Sequence, residues 1–213
     1  MDSADIPKVF AILERHYELW EAPVVTLVAQ HTGDPFKVLV CALLSTRTRD
    51  ETTSRVCKKL FKKVKGPADI LSMSEEDLMK LIYPVGFYRT KATHLRKLSR
   101  EILKRYDGRV PDSLEELLKL PGVGRKVANL VLADGFGIPA ICVDTHVHRI
   151  TNRWCLIKTN TPLQTERELA KRLPKKYWIP INRLLVAFGQ RVCIPTNPKC
   201  SVCPIERFCG KCL

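Results

Sequence analysis

Leu120-Pro121-Gly122-Val123-Gly124-Arg125-Lys126-Val127-Ala128, followed downstream by Val143-Asp144-Thr145-His146, is the stretch around which this chain is organised. Gly122 and Gly124 carry no Cβ, so the turn they make is tight and its bare backbone can approach a partner closely. A helical run follows from Arg125 to about Asp134, with Val127, Leu130 and Val131 at helical spacing. Upstream, Ser113-Leu114-Glu115-Glu116 has the form of a capping box and opens a short helix that runs into the turn. The result is helix, glycine hairpin, helix, with backbone N–H groups presented at a helix N-terminus, where a phosphate can sit. Lys126 falls in the first turn of the second helix. The positive end of the helix dipole and Arg125 both disfavour a further positive charge there. That matters because a lysine attacks carbon only as the neutral amine. Taken alone, the same pattern also fits a plain turn before a helix with a solvated lysine.

Charge narrows the partners. Lys and Arg number 36 against 22 Asp and Glu, a formal net charge of +14, spread along the chain. Such a balance favours nucleic acid or an anionic membrane surface. No run of about eighteen apolar residues suggests a membrane span, and no segment combines aromatics with a dense basic face. Met1-Asp2-Ser3-Ala4-Asp5 lacks the basic start and apolar core of a secretory signal. At 213 residues the chain can bury a real core as one sizeable domain or two small ones.

Helical periodicity dominates. Residues 7–30 read as a helix interrupted at Pro23, and the apolar run Phe36 to Ser45 as a buried helix. Further helices are expected over about 51–64, from Ser74 to 82, over 90–107, from Thr145 to Trp154, from Thr161-Pro162 to Leu173, and over 182–191. The 90–107 helix carries Lys91, Arg96, Lys97, Arg100, Lys104 and Arg105, read as a solvated basic face. Tyr83-Pro84-Val85-Gly86-Phe87-Tyr88-Arg89 is a turn with aromatic side chains available for exposure. Asp144 is well placed as a helix N-cap. Strand signals are nearly absent, so the expected fold class is all-α.

Nine cysteines would suit a secreted scaffold, but the count is odd and five lie after residue 192. An intracellular metal-binding chain is the better reading. Cys193, Cys200, Cys203 and Cys209 form C-x6-C-x2-C-x5-C, a compact set of four thiolates. Structural zinc takes such a set, and so does a [4Fe–4S] cluster; spacing alone does not choose. Cys41, Cys57, Cys142 and Cys155 read as buried core residues, and Cys212 falls outside the quartet's pattern.

Together, the hairpin with Lys126, the Val143-Asp144-Thr145-His146-Val147-His148-Arg149 segment and the four cysteines resemble the helix-hairpin-helix DNA glycosylases, most closely their endonuclease III branch. Leu43-Leu44-Ser45 and Leu81-Ile82-Tyr83-Pro84-Val85-Gly86-Phe87-Tyr88 also look like family segments, and the resemblance spans roughly residues 25–210. It implies two helical domains flanking a DNA-binding cleft. One is a six-helix barrel holding the hairpin, residues 27–135; the other joins residues 1–26 to 136–213. The second would carry a [4Fe–4S] cluster on Cys193, Cys200, Cys203 and Cys209, the family and not the spacing selecting iron–sulfur.

The resemblance also implies a reaction. A base buried in a duplex is out of reach, so the nucleotide is extruded. Arg47 and Phe87 stand where the family fills the vacated stack, and Arg47 departs from the family's usual glutamine. Lys126 would attack the sugar C1′ and form a Schiff base, Asp144 would support the cationic sugar, and β-elimination would cut the strand. Leu120, Gly122, Val123, Gly124 and Arg125 would grip the DNA backbone, Asp50 would line the base pocket and His146 would face the DNA. The expected activity is a bifunctional glycosylase and AP lyase excising oxidised pyrimidines. The expected protein is an intracellular monomer, in cytoplasm, nucleoid or nucleus, whose partner is double-stranded DNA bearing damaged bases or abasic sites. Alternatives are a mismatch-thymine or other monofunctional glycosylase on the same scaffold, and a noncatalytic DNA-binding module.

Overall fold

A computed structural model describes residues 1–20 and 22–212. In chain order the helices are α1 (Ile6–Tyr17), α2 (Val24–Thr32), α3 (Pro35–Ser45), α4 (Asp50–Lys63), α5 (Pro67–Ser72) and α6 (Glu75–Ile82). They continue with α7 (Tyr88–Arg105), α8 (Leu114–Lys119), α9 (Arg125–Leu130), α10 (Thr145–Arg153), α11 (Pro162–Arg172) and α12 (Pro180–Arg191). No strand forms among the described residues, so the fold is all-α. No helix among them is long and apolar enough to cross a membrane.

The chain divides into two compact units, Val24–Ile138 and Met1–Pro23 with Pro139–Leu213. Within Val24–Ile138, α3 is the central element. Asp34 caps it, accepting a 2.9 Å bond from the Phe36 N–H, and Pro35 at the first position tolerates the missing donor. Phe36 and Val38 to Leu44 are all buried, and α2, α4, α7 and α9 pack around the helix. A helix apolar on every side belongs in the middle of a unit. Ser74 and Ser113 cap α6 and α8 through bonds from the Asp77 and Glu116 N–H groups. Beyond α9 the chain widens into a π-helical turn, Val131–Gly135, which packs on α3.

The other unit closes around Phe10, Leu13, Val147, Ile150, Trp154 and Leu184, contributed by α1, α10 and α12 and the turn after α10. Thr161 and Gln164 form a full capping box at the start of α11. The end of α10 gathers both termini. The Trp154 carbonyl accepts from the Met1 amino group at 2.8 Å, and the Arg153 carbonyl accepts from the Cys212 N–H at 3.0 Å.

That tail contact corrects one expectation. Cys155 is not a buried core thiol: it is half-exposed and disulfide-bonded to Cys212, with Cα atoms 5.5 Å apart. The pairing arises because the tail returns to the end of α10, which no local spacing reveals. Peptide mapping without reductant should recover Cys155 linked to Cys212; finding both as alkylated free thiols would contradict the bridge.

Candidate functional site

The hairpin is a turn over Leu120-Pro121-Gly122-Val123, closed by a 3.1 Å bond from the Val123 N–H to the Leu120 carbonyl. Gly122 has φ +81, where a side chain is strained, and a Cβ there would also meet the His94 ring at 2.7 Å from Nδ1. Two independent reasons therefore exclude a side chain at 122. Leu120 and Val123 turn their side chains into the core, while Gly122, Gly124 and Arg125 are exposed. Gly124 is the N-cap of α9 and offers no capping side chain. Lys126, half-buried, is the second residue of that helix.

Three further charged or polarisable groups share the surroundings of Lys126. The Cys41 thiol is raised well above its ordinary range by its hydrogen bond with Cys57 and by burial; the charge of Asp50 adds to this and that of Lys126 opposes it. Asp50 opens α4 and is half-buried, so the structure brings this expected pocket residue into the electrostatic neighbourhood of the expected nucleophile. The third group is Lys91, which corrects the reading of α7 as a wholly solvated basic helix. It is 5% exposed, and its Nζ donates to the carbonyls of Leu44 at 2.8 Å and Thr46 at 2.6 Å, and to Thr48 Oγ1 at 3.2 Å. Burial lowers it to about 8, and the charge of Lys126 pushes the same way. The signal was present in the spacing: Lys91 lies on the stripe of Leu95, Leu98 and Ile102, the buried face of α7.

Arg47 and Phe87 occupy two exposed tips of the same unit. Both have left-handed backbones, φ +50 and +57, and the Arg47 guanidinium sits over the Phe87 ring at 5.5 Å. The tips touch through Gly86, whose N–H donates to Thr48 Oγ1 at 3.0 Å; a Cβ on Gly86 would collide with the Arg47 carbonyl. Tyr83 and Phe87 are 63% and 62% exposed, a large apolar area for a free surface.

Asp144 lies in the other unit. Its Oδ1 accepts from the His146 and Val147 N–H groups, each at 2.9 Å, capping α10. His146, half-buried, is held against Arg149 Nη2 at 3.2 Å. Arg149 and Arg153 reach from α10 to the cysteine loop, donating to the carbonyls of Cys193 at 2.8 Å and Ile194 at 2.6 Å. Sequence reasoning missed these two anchors.

Cys193, Cys200, Cys203 and Cys209 line one cavity of about 180 Å³ together with Phe188 and Val192. Among the described residues no group of three or more His, Cys, Asp or Glu side chains is arranged to hold a single metal ion. The four thiols share the lining of this one cavity. Burial pushes Cys203 up to about 11, with Cys193, Cys209 and Cys200 adding to it, and raises Cys209 likewise. Thiols set this close ionise together only against a concentrated positive charge. The Lys211 N–H and Arg153 Nη1 point at Cys209 Sγ (3.4 Å) and Cys193 Sγ (3.7 Å).

An all-α architecture, a glycine hairpin with a lysine just behind it, and a strong basic excess suit a protein that binds nucleic acid. Residues 40–175 match the model of the HhH-GPD superfamily base excision DNA repair proteins. Endonuclease III of Thermotoga maritima is 53% identical over 176 residues, 83% of each chain. A non-covalent endonuclease III–DNA complex superposes with a TM-score of 0.88 at 32% identity, covering 99% of this chain and 96% of that one. A trapped endonuclease III–DNA covalent intermediate gives 0.79 at 37% identity, covering 84% of both. The chain belongs to the HhH-GPD superfamily of base excision DNA repair proteins. It is an enzyme of base excision repair, a DNA glycosylase and AP lyase, and its partner is DNA.

The capping role of Asp144 can be tested by substitution. Asp144→Ala removes both cap bonds and should cost about 0.5–2 kcal/mol of stability, whereas Asp144→Asn, which keeps the acceptor, should stay within a few tenths of wild type in denaturant unfolding. Equal losses would show that the cap is not what the carboxylate stabilises.

Proposed function

We propose that Lys126 is the nucleophile of this glycosylase and lyase, that Asp144 is its supporting carboxylate, and that oxidised pyrimidines are the lesions removed. The observation that carries the reading is the position of Lys126: a half-buried amine one residue into α9, directly behind an exposed glycine turn. The turn and Arg125 bind the DNA backbone, which sets register without reading sequence. Arg47 and Phe87 enter the space that the extruded nucleotide leaves, and Asp50 lines the pocket that receives it.

The neutral Nζ of Lys126 attacks C1′, the C1′–N bond breaks, and its electron pair leaves with the base, which takes up a proton. Loss of the amine proton and opening of the sugar leave an iminium joining Nζ to C1′. The iminium acidifies C2′; removal of that proton drives the electron pair toward C3′ and expels the 3′ phosphate. The Asp144 carboxylate uses Oδ1 for its cap, and its negative charge stabilises the cationic sugar in the first step. A binding module without catalysis needs neither residue.

Cys193, Cys200, Cys203 and Cys209 would hold a [4Fe–4S] cluster, whose contribution is structural, ordering the basic loop that includes Lys199. The thiol-lined cavity offers four ligands to such a group, and the family resemblance selects iron–sulfur over zinc. The protein would work as a monomer wherever the cell keeps its DNA, in cytoplasm, nucleoid or nucleus.

Wild-type protein should be trapped on abasic duplex by borohydride, and Lys126→Ala should bind the same duplex but give no adduct and no strand scission. Retained scission would move the nucleophile elsewhere. Excision of thymine glycol and dihydrouracil in preference to mismatched thymine or mispaired adenine supports the lesion class; the reverse preference contradicts it. Purified protein should be yellow-brown with stoichiometric iron and sulfide, whereas colourless, zinc-loaded protein would remove the cluster.

A further inference from the structure

We infer that Lys91 is a positioning residue for nucleotide extrusion: its buried ammonium ties the loop bearing Arg47 to the turn bearing Phe87, so that the two exposed tips meet DNA as one rigid part. The inference rests on the reading of Arg47 and Phe87 as the pair that enters the vacated stack.

One residue reaches both tips. The Lys91 backbone N–H donates to the Phe87 carbonyl at 3.0 Å, the first helical bond of α7 after the left-handed Phe87. Its side chain turns the other way and gives its three N–H groups to Leu44 O, Thr46 O and Thr48 Oγ1, the segment on either side of Arg47. An ammonium has three donors, and all three are used. Thr48 closes the circuit. Its hydroxyl donates to the Thr46 carbonyl at 3.2 Å and accepts from Lys91 and from the Gly86 N–H, so its one proton and two lone pairs are all engaged.

The two tips need such a tie. Arg47 and Phe87 both hold left-handed backbones that non-glycine residues keep only when their surroundings over-determine them. Side chains pressed into a base stack meet a restoring force, and a tip free to relax would yield instead of displacing the nucleotide. Among the described residues, the hydrogen bonds of the Lys91 ammonium go to neutral oxygens. A buried charge held this way is costly for stability, which fits a group retained for the geometry it imposes.

Extrusion is required to remove a base but is already far advanced at an abasic site, where no base stacks. Lys91→Met keeps the stem and removes the charge and donors. Measured by single-turnover excision from a dihydrouracil duplex and by borohydride trapping on abasic duplex, the variant should lose about tenfold in the ratio of excision to trapping. The unstacking signal of 2-aminopurine placed beside the lesion should slow with excision. Thr48→Val, which removes the shared hydroxyl from the surface side of the same circuit, should shift the ratio in the same direction even if Lys91→Met folds poorly. An unchanged ratio in both variants overturns the inference, as does a larger loss in trapping than in excision, which would place the effect of Lys91 on the Lys126 amine. Failure of wild-type protein to trap would instead overturn the assignment of Lys126, and is read separately.

Discussion

The turn at Leu120–Val123 closes because residue 122 has no side chain. A Cβ there would meet His94 and would have to adopt φ +81, so the requirement is steric twice over. From this constraint follow the exposed backbone of Gly122 and Gly124, the start of α9 at Arg125, and the emergence of Lys126 one residue later. The buried anchors Leu120 and Val123 fix the turn from beneath while leaving its rim bare. A side chain on the first turn of a helix inherits the rigidity of that helix, which is what the nucleophilic role proposed for Lys126 would require. Backbone groups and general positive charge would give affinity without reading sequence, as proposed for the turn.

Several polar side chains in this chain hold backbone segments in place. Asp144 caps α10 with one oxygen. Arg149 and Arg153 extend from the same helix to the cysteine loop, so the segment that presents Asp144 also steadies the first cysteine of the quartet. The Cys155–Cys212 bridge fastens the chain just beyond the last one. In Val24–Ile138, Lys91 is the corresponding anchor, its ammonium buried against the Leu44–Thr48 segment.

Much of this was legible in the sequence because the signals are local. Gly122 before a helical run, the all-round apolar stretch of α3, the serines opening α6 and α8, and the spacing of Cys193 to Cys209 each act within a few residues of themselves. What stayed hidden depends on segments distant in the chain. Lys91 reads as one more surface lysine until α7 is laid against the Leu44–Thr48 segment, although its place on the Leu95–Leu98–Ile102 stripe pointed inward. Cys155 and Cys212 meet only because the tail returns to the end of α10. The widening of the helix at Val131–Gly135 left no mark in a periodicity that looked continuous from Arg125 to Asp134.

The central claim is that one particular amine among the chain's many basic groups forms the bond to DNA. The direct measurement is tandem mass spectrometry of the borohydride-reduced complex of wild-type protein with abasic duplex, after nuclease and protease digestion. The reduced sugar remnant is expected on Lys126 alone. A remnant on Lys91, on the amino terminus or scattered among surface lysines would contradict it.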